Sequence, residues 1–207
     1  MLYSKIMKSI VVIAVSLCLT CCGTLIKPNV KTGIVQLEKG SYKLDQTHVS
    51  VLFKINHMGL STFVGRFNKV DASLEFDPNN IAAAKLSAVI DMASIDTNNS
   101  SLEETLRGSS WLDTEKYPQA FFKTISVSGL DQNAAVFTGE LTLHGVTAPI
   151  DLTVTFNGGA NNILTGFYTL GFSATTRFNR STFGIDYLVP AIGDQIAIEV
   201  FAEFQQQ

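Results

Sequence analysis

His48-Val49-Ser50-Val51-Leu52-Phe53-Lys54-Ile55-Asn56 is the stretch whose reading decides the fold class. Val49, Val51, Phe53 and Ile55 share one side of an extended chain, and His48, Ser50, Lys54 and Asn56 share the other. That alternation is what a half-buried β-strand requires, because successive side chains point to opposite faces. The same period recurs downstream. Ile150, Leu152, Val154 and Phe156 alternate with Asp151, Thr153 and Thr155, and Ile196, Ile198 and Val200 alternate with Gln195, Ala197 and Glu199. Similar runs occur near 62–76, 83–93, 119–128, 134–144 and 162–178. Met58-Gly59, Asp77-Pro78-Asn79-Asn80, His144-Gly145 and Asn157-Gly158-Gly159 read as the turns between them. About eight strands in this arrangement predict an all-β antiparallel barrel or sandwich.

One segment breaks the period. Ser100/Glu103 and Ser101/Glu104 form two overlapping capping boxes, Leu102 and Leu106 lie four apart on one face, and Gly108 follows. These features predict one short helix between strands.

Composition narrows the function classes. Of 207 residues, 46% are hydrophobic and 16% charged, against roughly 25% charged in an average domain. Such a chain has ample apolar surface to offset ordering entropy, which excludes disorder. A formal charge of −3 and no Lys/Arg cluster argue against a basic nucleic-acid surface. No nucleophile elbow, P-loop, dinucleotide fingerprint or zinc-binding HExxH helix is present.

Part of the apolar surplus lies at the start of the chain. Lys5 and Lys8 precede an apolar run from Ile10 to Leu19, which is too short to span a bilayer and suits a signal peptide. Leu19-Thr20-Cys21-Cys22-Gly23 resembles a bacterial lipobox, which implies cleavage of residues 1–21 and acylation of Cys22. Cys21 is the alternative attachment point, and a short uncleaved anchor is the alternative to cleavage. All three cysteines lie in this segment, so cleavage before Cys22 would leave the folded domain no disulfide and no cysteine-based zinc site. Gly23, rather than Asp, after the acylated residue would, under enterobacteria-like sorting, favour the outer membrane over the inner. Residues 22–40 mix Gly, Pro and Lys without sustained period and read as a lipid-anchored linker. Residues 41–207 form the remaining domain.

His48, His57 and His144 are the residues that invite a metal-site reading. Nine residues separate the first two, so on one regular strand they face opposite sides. Histidines hydrogen-bonded at strand ends are the simpler assignment, and a His-based metal protein or enzyme is the alternative. Fourteen Phe are a strong bias, and Phe63, Gly65 and Phe67 share a side. The pattern leaves two uses open, filling a core or lining a ligand cavity. Arg177 faces solvent if Phe172, Ala174, Thr176 and Phe178 face inward, while the direction of Arg180 is open.

Several segments, in order, resemble the YceI-like family. They are Tyr42–Phe53, His57–Phe67, Ile95-Asp96-Thr97, Leu106-Arg107 through Trp111-Leu112-Asp113, Tyr117-Pro118 with Phe121-Phe122, Gly139–Thr147 and Arg180–Ile185. Together they span roughly residues 41–204. Trp111, where Phe is common, and Thr182, where an acidic residue is common, depart from the pattern. The resemblance implies a lipocalin-like, eight-stranded antiparallel β-barrel around an elongated apolar tunnel. It implies a polyisoprenoid ligand, such as a quinone or a polyprenyl phosphate, bound without a catalytic group or a metal. Phe53, Phe63, Phe67, Trp111, Phe122, Phe137 and Phe172 are the expected lining, and Arg180 is the expected head-group contact. No cofactor is expected beyond a bound isoprenoid lipid. The expected setting is the periplasmic face of the bacterial envelope, with the membrane as partner through the acyl chains, no nucleic acid, and room for a homodimer. A redox accessory presenting quinone to a membrane cytochrome is the second reading.

Overall fold

The long strand β1 (Gly40–His57) organises the molecule, because it carries enough residues to run from one end of a barrel to the other. The computed structural model describes residues 28–131 and 133–207. After β1 come β2 (Ser61–Phe67), β3 (Val70–Phe76), β4 (Lys85–Asp91), the two-residue β5 (Ile95–Asp96) and helix α1 (Ser100–Arg107). Then follow β6 (Gln119–Asp131), β7 (Ala134–Leu143), β8 (Val146–Asn161), β9 (Tyr168–Asn179) and β10 (Ile192–Gln206).

Every strand pairing is antiparallel, and β10 pairs back onto β1 to close the sheet. The first part of β1 pairs with β3 and the second with β2. β2 and β3 are therefore successive halves of one stave, bent at Asn68-Lys69, and the closed barrel has eight staves. Closure leaves the long strands no free edge.

The two uses left open for the aromatics are both realised, at different ends. At the β1 start, Tyr42, Phe76, Phe156, Phe172 and Phe204 form a continuous aromatic chain, with neighbouring ring centroids 5.2–6.4 Å apart. This end is solid. Higher up, Val51, Val200, Ala174, Val154 and Ala135 pair across five adjacent staves. Side chains this short cannot meet across the barrel, so the interior opens.

Three sequence expectations are corrected. Residues 22–40 are not wholly a linker. Lys31 exchanges both backbone hydrogen bonds with Gly159 at 2.9 Å, and Ile34 and Leu37 are buried against the aromatic end. A single 3₁₀ turn puts those two side chains on one side, a pattern too short to register as periodicity. Asn157-Gly158-Gly159 is not a turn but a bulge within β8; Gly158 sits at φ 140°, and the Lys31 carbonyl comes close to it. The chain reverses instead between Asn161 and Tyr168. Helix α1 is capped by Asn99 rather than Ser100 or Ser101: its side chain accepts from Leu102 N, while Glu103 accepts from the Asn99 and Thr97 amides. Gly108 does end the helix, in an extended conformation. The proposed signal peptide and Cys22 lie outside the described residues.

Candidate functional site

The open interior is a tunnel of about 630 Å³, within the size range of small-molecule sites. Its floor is Phe137, Phe172 and Phe204, the inner face of the aromatic end. Its mouth lies at the far end of β1, where His57, Trp111, Tyr187 and Leu188 reach it. The wall between is almost entirely hydrocarbon, because the inward positions of the staves carry Val, Ala, Ile, Leu or Phe, with Thr176 of β9 as a polar exception.

All eight residues singled out in the barrel sequence lie on this wall. Phe53, Phe63 and Phe67 cluster near the mouth, with Phe53 5.7 Å from Phe67 and 6.5 Å from Phe63. Phe122 lies over Gly139, just as Phe53 lies over Gly65: a Cβ at either glycine would come within 2.4 Å of the facing ring. The in-strand glycines thus mark close approach of an aromatic ring. Trp111 packs edge-to-face against Tyr187 at 5.4 Å.

Arg180 turns inward. It is 3% exposed, in a short 3₁₀ turn after β9. Its Nε donates to Gly193 O (2.9 Å), Nη1 to Ile185 O (2.8 Å) and Nη2 to Ile192 O (3.0 Å). Its guanidinium lies 5.3 Å from the Trp111 ring centroid. Three of five N–H donors are therefore spent on holding the loop between β9 and β10. Burial pushes its pKa down, opposed by Asp194 and Asp186, yet an arginine starts high enough to stay charged. Asp194 itself accepts from Ser181 N and Oγ, and Arg180 makes no ion pair among the described residues. Arg177 faces solvent, as the strand period requires.

The aliphatic part of the wall and the helix were not singled out as lining. Val51, Val154, Ala174 and Val200 were legible from strand alternation. Leu102 and Leu106 of α1 lie over the tunnel, and their four-residue spacing was the available signal. Arg107 pins the helix by donating from Nε to Ala93 O at 2.9 Å.

The histidines do not converge. His57 lies at the mouth. His144 hydrogen-bonds through Nδ1 to Phe183 O and packs on Tyr117. His48 lies on the outside beside Asp45 and Glu203, with potential ligand atoms within 4.8 Å of one another. Both Asp45 oxygens are already engaged, one by Thr47 and the other by His48 and Gln205. Against the upward push of burial, the Thr47 and His48 hydrogen bonds hold the Asp45 carboxyl down to about 2. The Asp45 hydrogen bond raises His48 above its ordinary value. This cluster satisfies itself as an ion pair without a cation.

Comparison with known proteins decides the family. A YceI-like domain matches residues 42–204. The chain belongs to the YceI-like family. A UPF0312 protein of Vibrio cholerae is 37% identical over 141 residues, covering 68% of this chain and 74% of the relative. A UPF0312 protein of Pseudomonas syringae pv. tomato is 36% identical over 152 residues, covering 72% and 79%. Among solved structures, a Campylobacter jejuni YceI protein superposes with a TM-score of 0.66 at 28% identity, covering 74% of this chain and 91% of that one. Burkholderia cenocepacia BcnA superposes at 0.71 with 24% identity, covering 77% and 98%. A polyisoprenoid-binding domain from Saccharophagus degradans, implicated in plant cell wall breakdown, superposes at 0.61 with 15% identity, covering 82% and 100%. The last two likenesses establish the YceI-like barrel and nothing further.

Proposed function

We propose that this YceI-like protein is a carrier or store for an isoprenoid lipid, such as a quinone or a polyprenyl phosphate, in the bacterial cell envelope. The observation that carries the reading is the closed barrel with a hydrocarbon-lined tunnel open at one end. Such a tunnel withdraws an insoluble tail from water, at about 0.8 kcal/mol per buried methylene, with no reacting group required. The polyisoprenoid-binding neighbour has the same fold, which supports this ligand class. The tail enters past Trp111 towards Phe137 and Phe172, and the head group stays at the mouth beside Arg180, whose two remaining N–H groups are free to meet an oxygen. Acylation at Cys22 holds the protein at the membrane, facing the periplasm, with the outer membrane favoured. No enzymatic reaction is assigned to it.

The test is organic extraction of protein purified from native membranes, followed by mass spectrometry. A stoichiometric isoprenoid is expected. An empty barrel that also fails to bind added quinone or polyprenyl phosphate overturns the reading.

A further inference from the structure

One side of the tunnel mouth carries apolar side chains that are left largely exposed. Met58 is 60% exposed, Leu60 83%, Tyr187 47%, Leu188 49% and Val189 37%. They come from two loops joined into one surface, since Met58 N donates to Ala191 O at 2.9 Å. Tyr187 and Leu188 also line the tunnel, so the collar is continuous with the interior. Folding alone does not account for the composition. Met58 and Gly59 occupy a tight β1–β2 turn with φ of 56° and 71°. Asn or Gly meets that requirement at little cost, whereas Met fits it poorly and here stays mostly exposed. These two loops are also poor in charge: between Lys54 and Arg66 only His57 can carry one, and between Asp186 and Asp194 nothing can, so the charged groups of the rim belong to the α1–β6 segment across the mouth.

We infer that the collar is a docking surface for a lipid bilayer, inserting among the head groups so that the tunnel opens directly into the membrane. This rests on the carrier reading: an insoluble tail moves between bilayer and tunnel only along a path that excludes water. Size favours a bilayer over a second copy of the chain. The five side chains expose on the order of 500 Å², below the ~800 Å² per partner of a standard protein–protein interface. Dipping into a membrane has no such area threshold, and two loops without an acidic residue between 55 and 65 or between 187 and 193 meet no repulsion from lipid phosphates. The described chain leaves the collar open, because Lys31–Leu37 packs at the other end of β1, about 45 Å away for 18 residues at ~3.3 Å rise and ~40° tilt. The nine residues from Cys22 to Lys31 reach at most ~32 Å, so a chain acylated at Cys22 docks its collar with the barrel axis tilted by about 45° or more from the membrane normal.

Depth-dependent quenching reads the orientation. The full chain is reconstituted in phosphatidylcholine vesicles containing brominated acyl chains, with one tryptophan per chain in a Trp111→Phe background. Leu60→Trp places it on the collar. Val35→Trp places it at the solid end, where Val35 is 72% exposed. Strong quenching at the collar, several-fold above that at the solid end, is expected. The reverse ratio, equal quenching or none overturns the inference. In the native background, Met58→Asn/Leu60→Thr removes the apolar tips and leaves a residue suited to the turn. It should slow uptake of a fluorescent isoprenoid from vesicles about tenfold or more while binding in detergent is unchanged. Unchanged uptake, or a dimer in sedimentation that this variant abolishes, also refutes bilayer docking. Lipid found by extraction without collar quenching would leave the carrier reading standing and docking refuted. Quenching with an empty barrel would do the opposite.

Discussion

Replacing Arg180 by Met should unfasten the mouth of the tunnel. The substitution keeps similar length and apolar stem but removes all three donors to Ile185, Ile192 and Gly193 O. Each hydrogen bond from a charged donor contributes about 1.5–3 kcal/mol, but the guanidinium also costs several kcal/mol to desolvate, which Met does not. The difference leaves a net loss of about 2–4 kcal/mol. For a domain of this size, ~2–4 °C per kcal/mol converts that into a Tm fall of roughly 5–15 °C. Arg180→Lys should fall between, because one ammonium cannot reach three carbonyls in a fixed fork. Thermal unfolding followed by circular dichroism measures the loss, and limited proteolysis should find new cleavage in 186–191. The same pair separates the head-group role. If the head is a phosphate, Arg180→Met should weaken a polyprenyl phosphate about tenfold, equivalent to ~1.4 kcal/mol, and leave a neutral quinone nearly unchanged. A Tm within about 2 °C of wild type would refute the anchoring argument, and equal losses for both ligands would remove Arg180 from the head-group site.

Three other substitutions test the rest of the barrel. Gly65→Ala and Gly139→Ala look alike in sequence but should differ: a Cβ at Gly65 meets mainly the movable Phe53 ring, whereas at Gly139 it also meets the Lys123 carbonyl oxygen at 2.7 Å. The first should push Phe53 into the tunnel and reduce tail binding at nearly constant Tm, and the second should cost about 1–3 kcal/mol; similar urea midpoints for the two would contradict this. Ala174→Phe fills the middle of the tunnel without displacing packed atoms, so ligand binding should vanish while the apo-protein's stability is unchanged or raised; retained binding in a fluorescence displacement assay would place the ligand elsewhere. The Asp45–His48 pair should stabilise the fold only in a pH window. His48, with its folded pKa raised, contributes below its ordinary 6.5 and loses that contribution as pH rises through the folded value. Asp45, with its pKa depressed, contributes above its ordinary 3.8 and loses that as pH falls through about 2. His48→Gln should therefore destabilise most between these ordinary values, by under ~1 kcal/mol, because the His48 side chain is more than half exposed and water screens the pair. An equal effect at about pH 5 and about pH 8 would show that the charge is irrelevant.

Strand alternation was local and therefore legible. Val49 to Ile55 and Ile150 to Phe156 announce their inward faces whatever they pack against, and the helix at 100–107 declares itself by its caps and leucines. Its first turn was misread by one residue because Asn99, Ser100 and Ser101 are all competent caps, and only the direction of the entering chain selects among them. Ile34 and Leu37 were unreadable for a related reason. Three residues of 3₁₀ turn have no period, and their burial comes from Gly159 on a strand more than a hundred positions away.

Period-two alternation by itself made this an antiparallel all-β chain with Phe facing inward, since each strand's facing is a property of its own residues. Whether those Phe would meet or stand apart depended on which staves close together. The register of β1 against β10, and of β10, β9, β8 and β7 in turn, sets aromatic residues against one another at one end and Val and Ala across the middle. Only that pairing decides that one end is solid and the other hollow. The same closure turns Arg180, ambiguous in the chain, onto three carbonyls at the mouth. A buried guanidinium must find its donors' partners wherever the fold supplies them, and here two of the three belong to the start of β10.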